Sequence, residues 1–288
     1  MGKKNKELIA KNKSIVEQYP QKVGAILQTC NGLCECICYR SYSDCDFKFT
    51  DDNYIVHHRS FIDFLSESII NPYHRSIFGV GYFGEGIKTK LNPDIYYSWY
   101  EMLKRCYKED DSNRGNLLYK HVCTVDEEWH NFQNYYHWYV ENLREYNVDE
   151  KPSIDKDLLI IGNKSYGPDK CVMLPMKLNN FIAHINTNKK SVYPPGVSYV
   201  SNKKNKYRAY GSNQITNKND YLGSYSTPEE AFWAFIQHKN QMAISLANKY
   251  DGLISSKAIE ALKEFDYLKR YNGDWKVKVI KRREEDEH

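Results

Sequence analysis

Lys206 to Ala231 reads KYRAYGSNQITNKNDYLGSYSTPEEA, and this stretch decides how the last third of the chain folds. In KYRAYGS and DYLGSYS, residues suited to a covered face and to an open face alternate, which is the two-residue period of a strand. PPGVSYV, at 194–200, supplies a third short strand. Thr227-Pro228-Glu229-Glu230 then combines a helix cap, a first-turn proline and a capping-box glutamate. The long helix that follows turns Ala231, Phe235, Met242 and Leu246 inward. If Val197, Tyr207, Ala209 and Leu222 face that helix, Ser198, Arg208, Tyr210 and Tyr221 face outward.

The charge of this region points to a partner. Between Thr187 and Leu222 the cations Lys189, Lys190, Lys203, Lys204, Lys206, Arg208 and Lys218 stand against the single anion Asp220. Such a local excess is of the kind nucleic-acid binders carry, and taken by itself it equally fits a solvated lysine-rich surface. Lys203, Lys204 and Lys206 sit at a turn, suited to phosphates, while Arg208 is placed to reach base edges.

The chain has 288 residues, 41% of them hydrophobic and 27% charged, which suits a soluble folded protein of two or more compact units. Its 25 tyrosines favour half-buried sheets and surfaces that meet polar ligands. No apolar run is long enough for a membrane span, and MGKKNKELIAKNKS lacks the apolar core of a secretory signal. A cytoplasmic setting with reduced cysteines is the expectation.

Residues 1–20 read as a short polar helix or arm. LCECICYR, DCDFKFT and NYIVHHR read as strands and FIDFLSESI as a short helix. After the connector FGVGYFGEG, a helix starts at Asn92-Pro93, with Asn92 as cap, and faces inward with Ile95, Trp99, Met102 and Cys106. A second helix is expected to open on a capping box at Thr124 to Glu127, with Trp129, Phe132, Tyr136 and Val140 along one face. KAIEALKEF is a further short helix before a charged tail.

Two motifs have plain alternatives. Gly79, Gly81, Gly84 and Gly86 satisfy G-x-G-x-x-G, but no helix follows to receive a phosphate, so a connector is the better reading. Cys34, Cys36 and Cys38 alternate along a strand rather than pairing as zinc ligands do, so zinc is disfavoured even with Cys30, Cys45, His57 and His58 nearby. Cys106, Cys123 and Cys171 are isolated and read as core residues.

SIDKDLLIIGNKSYGPDKC, at 153–171, holds a carboxylate pair, Asp155 and Asp157, followed by the Gly162-Asn163 turn. Together, Gly196-Val197, Lys206-Tyr207-Arg208-Ala209, Tyr221-Leu222-Gly223-Ser224-Tyr225 and Thr227 to Ala231 resemble the AP-two/ethylene-response-factor DNA-binding domain over about Pro194 to Tyr250. That resemblance implies a three-stranded sheet that reads the major groove, braced by a helix. Ser198 and Ser212 stand where arginines are usual in the plant domains.

With WYEMLKRCY, VCTVDEEWHNFQNYYHWY and LPMKLNNF, the chain from about Ile77 to Asp266 resembles a phage and mobile-element family that joins a degenerate HNH-type nuclease segment to such a domain. The resemblance implies a ββα hairpin holding one Mg²⁺ or similar divalent ion. Asp155 falls at the first ligand position, Asn163 in the central asparagine region and Asn179 at the last ligand, with Asn180 and His184, four residues apart on a helix, as alternatives. Asp155, Asp157 and Asn163 are then the candidate catalytic residues. Lys156 stands where the base histidine is expected, and a protonated lysine is a poor base.

The expected protein is α+β: residues 1–76 an arm and small sheet-helix unit, 77–150 a glycine connector and two helices, 151–190 the HNH-like ββα segment, 191–265 the AP-two-like domain, and 266–288 a charged tail. The expected function is double-stranded DNA binding by a phage or mobile-element protein, which in its enzyme version nicks or cleaves that DNA with one Mg²⁺ or similar ion. The alternative is an inactive DNA-binding regulator or a counter-defence factor that acts on a host protein.

Overall fold

The computed structural model describes residues 3–108, 123–183, 192–201, 204, 206–276 and 278–279. It is a mixed α+β fold whose two main sheets are antiparallel, one of four strands and one of three. The chain divides into two compact units, residues 1–121 with 127–136, and residues 122–126 with 137–288. Among the described residues no helix is long and apolar enough to cross a membrane.

In the first unit, strands β1 (Ile26–Thr29), β2 (Gly32–Ser41), β3 (Asp44–Phe49) and β4 (Ile55–Arg59) lie in chain order. Alternation puts Leu27, Cys34, Cys36, Cys45, Phe47 and Phe49 on one buried face. Helix α2 (Phe61–Leu65), capped by the Ser60 side chain on the Asp63 amide, closes that face with Phe61, Phe64 and Leu65. Each of these large side chains contributes about 2 kcal/mol on burial. Cys34 and Cys36 are buried core thiols, and burial pushes both up to about 12. A bulge after Cys36 leaves Cys38 only half-buried. Helix α1 (Lys3–Val16) packs Ile9, Asn12 and Val16 inward, and Asn12 donates to the Leu65 carbonyl at 2.9 Å. The N-terminal arm is therefore a docked helix.

Helix α3 (Pro93–Tyr107) buries Ile95, Trp99, Met102 and Cys106 as its spacing predicts. Asn92 precedes Pro93 but makes no side-chain cap bond. Trp99 donates to the Trp129 carbonyl at 2.7 Å, and Gln133 holds the glycine connector through the carbonyls of Phe83 and Ile87. The capping box expected at Thr124 is not formed. Thr124–Val125 is instead a strand, β5, pairing parallel with β7 (Ser165–Tyr166), and Glu127–His130 forms a 3₁₀ turn before α4 (Phe132–Leu143). A strand partner some forty residues away in sequence outweighs the local helix signal.

The second unit holds residues 206–231. Strands β9 (Val197–Tyr199), β10 (Tyr207–Asn213) and β11 (Lys218–Tyr225) pack on helix α6 (Pro228–Tyr250). Both halves of the Thr227–Glu230 capping box are made, which contributes about 1 kcal/mol. Phe232, Phe235, Ile236, Met242, Ala243, Leu246 and Ala247 form the buried side of α6. Gly196 has a left-handed φ of 76°, and a Cβ there would overlap the Phe235 ring, so only glycine lets this corner lie on the helix. Strands β6 (Ser153–Asp155) and β8 (Val172–Leu174) pair antiparallel ahead of α5 (Met176–Ala183). Helices α7 (Ser256–Lys263) and α8 (Tyr267–Arg270) complete the unit.

Candidate nucleic-acid interface

The three-stranded sheet has a covered and an open side. Ala209 and Gly211 are buried against α6, where a Cβ on Gly211 would strike the His238 ring. Ser198, Tyr210 and Tyr221 are exposed, Tyr221 by 58%, as the alternation predicts. Register places Ser198, Arg208 and Ser224 in one row across β9, β10 and β11. Tyr210 and Tyr221 form the next row with ring centroids 5.4 Å apart, followed by Ser212 opposite Asn219. Leu222 is an extra residue in β11 between the first two rows, a bulge that sharpens the twist of the ribbon.

Electrostatically the open side is well disposed toward phosphate and base edges. Arg208 is half-buried, and its side chain has no hydrogen bond or ion pair among the described residues. Asp220, the segment's one anion, is turned to the helix side. There it accepts from Asn213 Nδ2 at 2.9 Å and lies 3.1 Å from His238 Nε2 of α6, and both partners hold its carboxyl below the usual range. Lys204 and Lys206 are exposed at the β9–β10 turn. Lys203, Lys189 and Lys190 lie outside the described residues, so the basic patch is described in part. The β10–β11 turn is tied by Asn213, whose Oδ1 accepts from the amides of Ile215 and Thr216, each at 3.0 Å.

The Asp155 segment is a second polar centre in the same unit. Asp155 is only 4% exposed, and its Oδ1 accepts the amides of Asp157 at 3.0 Å and Leu158 at 2.7 Å. Burial chiefly, and the charge of Asp157 next, push this carboxyl up to about 6, against those amides and Lys156. Lys156 is also 4% exposed and donates to Asp157 Oδ1 at 2.6 Å. Asn163 staples the loop, donating to the carbonyls of Lys156 and Ser165 and accepting the Ser165 amide. Asn179 on α5 donates to Ser153 Oγ at 3.0 Å, while His184 lies outside the described residues. The structure therefore gathers Asp155, Lys156, Asp157 and Asn163 into one loop and engages Asn179 with Ser153.

Arg270 of α8 also belongs to this centre. Its two terminal nitrogens donate to the carbonyls of Asp157 at 2.6 Å and Leu158 at 2.7 Å, closing the turn from outside. The sequence offers no signal for this, because the pairing spans more than a hundred residues.

Among the described residues, the His, Cys, Asp and Glu side chains close enough to share an ion are Asp44, Asp46 and His58 of the first unit. Arg40 already forks across both carboxylates, with its Nε 2.9 Å from Asp44 and its Nη1 3.0 Å from Asp46. The group is a satisfied surface ion-pair network. Compared with known proteins, the chain matches no protein-family model, no curated protein and no solved structure.

Proposed function

We propose that this chain binds double-stranded DNA through the open side of β9, β10 and β11, as a non-catalytic DNA-binding protein of the phage or mobile-element kind. The observation that carries the reading is the Arg208 guanidinium, which has no partner among the described residues and stands in register between Ser198 and Ser224, while the nearby anion Asp220 is held on the far side of the sheet. A three-stranded sheet of this kind would lay its open side in a major groove, with arginine forking onto a guanine edge and the tyrosines lying against bases. Lys204 and Lys206 would hold the phosphates that flank the groove.

Arg208→Ala should weaken binding of a fluorescent duplex about tenfold, as expected for one lost base contact. The thermal midpoint should stay at the wild-type value, because Arg208 has no partner to lose within the described fold. Anisotropy titration checks the affinity and calorimetry the midpoint. Equal affinities for the two proteins would sink the assignment of this face.

The ββα order of β6, β8 and α5 favours a second reading, a metal-dependent endonuclease acting through Asp155, Asp157 and Asn163. Its donors do not suit Mg²⁺, which keeps several waters and wants accessible, ionised oxygen ligands. Asp155 is buried with one oxygen taken by two amides, Asn163 is consumed by the loop, and the neighbouring cation is Lys156 itself. Supercoiled plasmid incubated with the protein and Mg²⁺ or Mn²⁺ should remain supercoiled on an agarose gel. Nicking that Asp155→Asn abolishes would establish the enzyme instead.

A further inference from the structure

The first unit contains a cleft that the DNA reading does not use. It encloses about 300 Å³ between the end of α1, the turn that follows it, the β2–β3 turn and α2. Its walls are aromatic and aliphatic, with Tyr19, Tyr42 and Phe61 prominent, and its polar groups are Lys13, Lys22 and Glu17. That volume lies at the lower end for small-molecule sites, which are concave, mostly apolar and marked by a few placed polar groups.

Lys22 gives the cleft its chemistry. Its ammonium donates to Tyr39 Oη at 2.8 Å and sits 4.2 Å from the centre of the Tyr39 ring, 5.3 Å from Phe61 and 5.7 Å from Tyr42. An aromatic cage holds the cation in place by its ring faces without neutralising it, so its remaining hydrogens stay available to an anion. No carboxylate is paired with Lys22 among the described residues. With Lys13 opposite Glu17 in charge, the cleft keeps one net positive charge. Tyr42, 46% exposed at the mouth, offers a ring face to a flat ligand.

We infer that this cleft binds a small aromatic acid, its ring against Tyr42 and Phe61 and its carboxylate on the Lys22 ammonium. A flat apolar body matches the walls, and a single negative charge matches the net charge of the lining. A neutral ligand of the same shape would leave the ammonium facing a desolvated surface, so charge is the discriminating feature.

The probes are 1-naphthoate and its neutral isostere 1-naphthamide, titrated into the full-length protein by calorimetry and by amide chemical-shift mapping. Naphthoate should bind at one site about tenfold more tightly than naphthamide. Its shifts should fall on residues around Lys22, Tyr42 and Phe61. Lys22→Met keeps the apolar stem and removes the charge, so it should erase the preference for the acid while naphthamide still binds. Lys13→Gln, at an exposed position on α1, is the second variant and should weaken naphthoate more than naphthamide. Equal binding of acid and amide, shifts elsewhere, no binding at millimolar probe, or an acid preference that survives Lys22→Met would each overturn the inference. None of these outcomes depends on whether the chain binds DNA.

Discussion

Asp155→Asn should raise the stability of the fold at pH 7 by about 1–3 kcal/mol, whereas Asp155→Ala should lower it by about 2–4 kcal/mol. The two signs differ because the carboxylate does two things at once. Its Oδ1 satisfies the amides of Asp157 and Leu158, and an asparagine oxygen keeps both bonds while alanine leaves two donors in a poorly hydrated turn. Its negative charge, in a nearly fully buried position, is unfavourable by comparison. Burial and Asp157 push the folded-state carboxyl from its ordinary 3.8 up to about 6.

A raised carboxyl contributes stability below the unfolded value and loses it as pH rises through the folded one, so the wild type should weaken relative to Asp155→Asn between about pH 4 and pH 6. Urea melts of the three proteins across that window measure the difference directly. An asparagine variant that is less stable than wild type at pH 7, or a difference flat in pH, would show that the charge itself is wanted at this turn.

Lys239→Met should also stabilise the protein, by about 1–3 kcal/mol at pH 7. Lys239 lies on the buried face of α6 and is 7% exposed. Its ammonium sits 3.7 Å from the centre of the Phe181 ring and 3.4 Å from the Phe181 carbonyl, with Tyr267 at 5.9 Å. A carbonyl and two ring faces repay part of the desolvation, and burial lowers this lysine to about 8. The unfolded chain then holds the proton more tightly than the fold between about pH 8 and pH 10.5, so this group's penalty fades as pH rises through that range. Methionine fills similar volume without the charge. The wild-type-minus-variant stability should therefore be most negative at and below neutral pH and approach zero near pH 10. A destabilised Lys239→Met at pH 7 would mean that the contact with α5 is worth more than its desolvation.

The parts of the fold that local chemistry dictates were legible in the sequence. Alternation in KYRAYGS and DYLGSYS gave the strands and their faces, and Thr227 to Glu230 gave the start of α6 to the residue. Helix α3 followed from the spacing of Ile95, Trp99, Met102 and Cys106. What stayed hidden depends on distant partners. Thr124–Val125 has a helix-start pattern but becomes a strand because Ser165–Tyr166 pairs with it. Strand β1 is four residues at a sheet edge, too short for its period to stand out. Lys239 was findable in principle, since it falls on the same helical stripe as Phe235, Met242 and Leu246.

The candidate site divides along the same line. Ser198, Arg208, Tyr210 and Tyr221 are set by strand period alone, so their outward placement could be read directly. For Asp155, spacing supplied the carboxylate pair but neither its burial nor the contacts that close its loop, the staple of Asn163 and the reach of Arg270. No local pattern encodes those two contacts.

The salt dependence of duplex binding decides whether this face of the sheet holds DNA. Affinity should fall steeply between about 50 mM and about 200 mM salt, linearly on logarithmic axes, because phosphate contacts release counterions. Replacing both Lys204 and Lys206 with glutamine should make that slope shallower by about two, one for each lost phosphate contact. An affinity indifferent to salt, or an unchanged slope in the double variant, would contradict DNA binding by this face of the sheet.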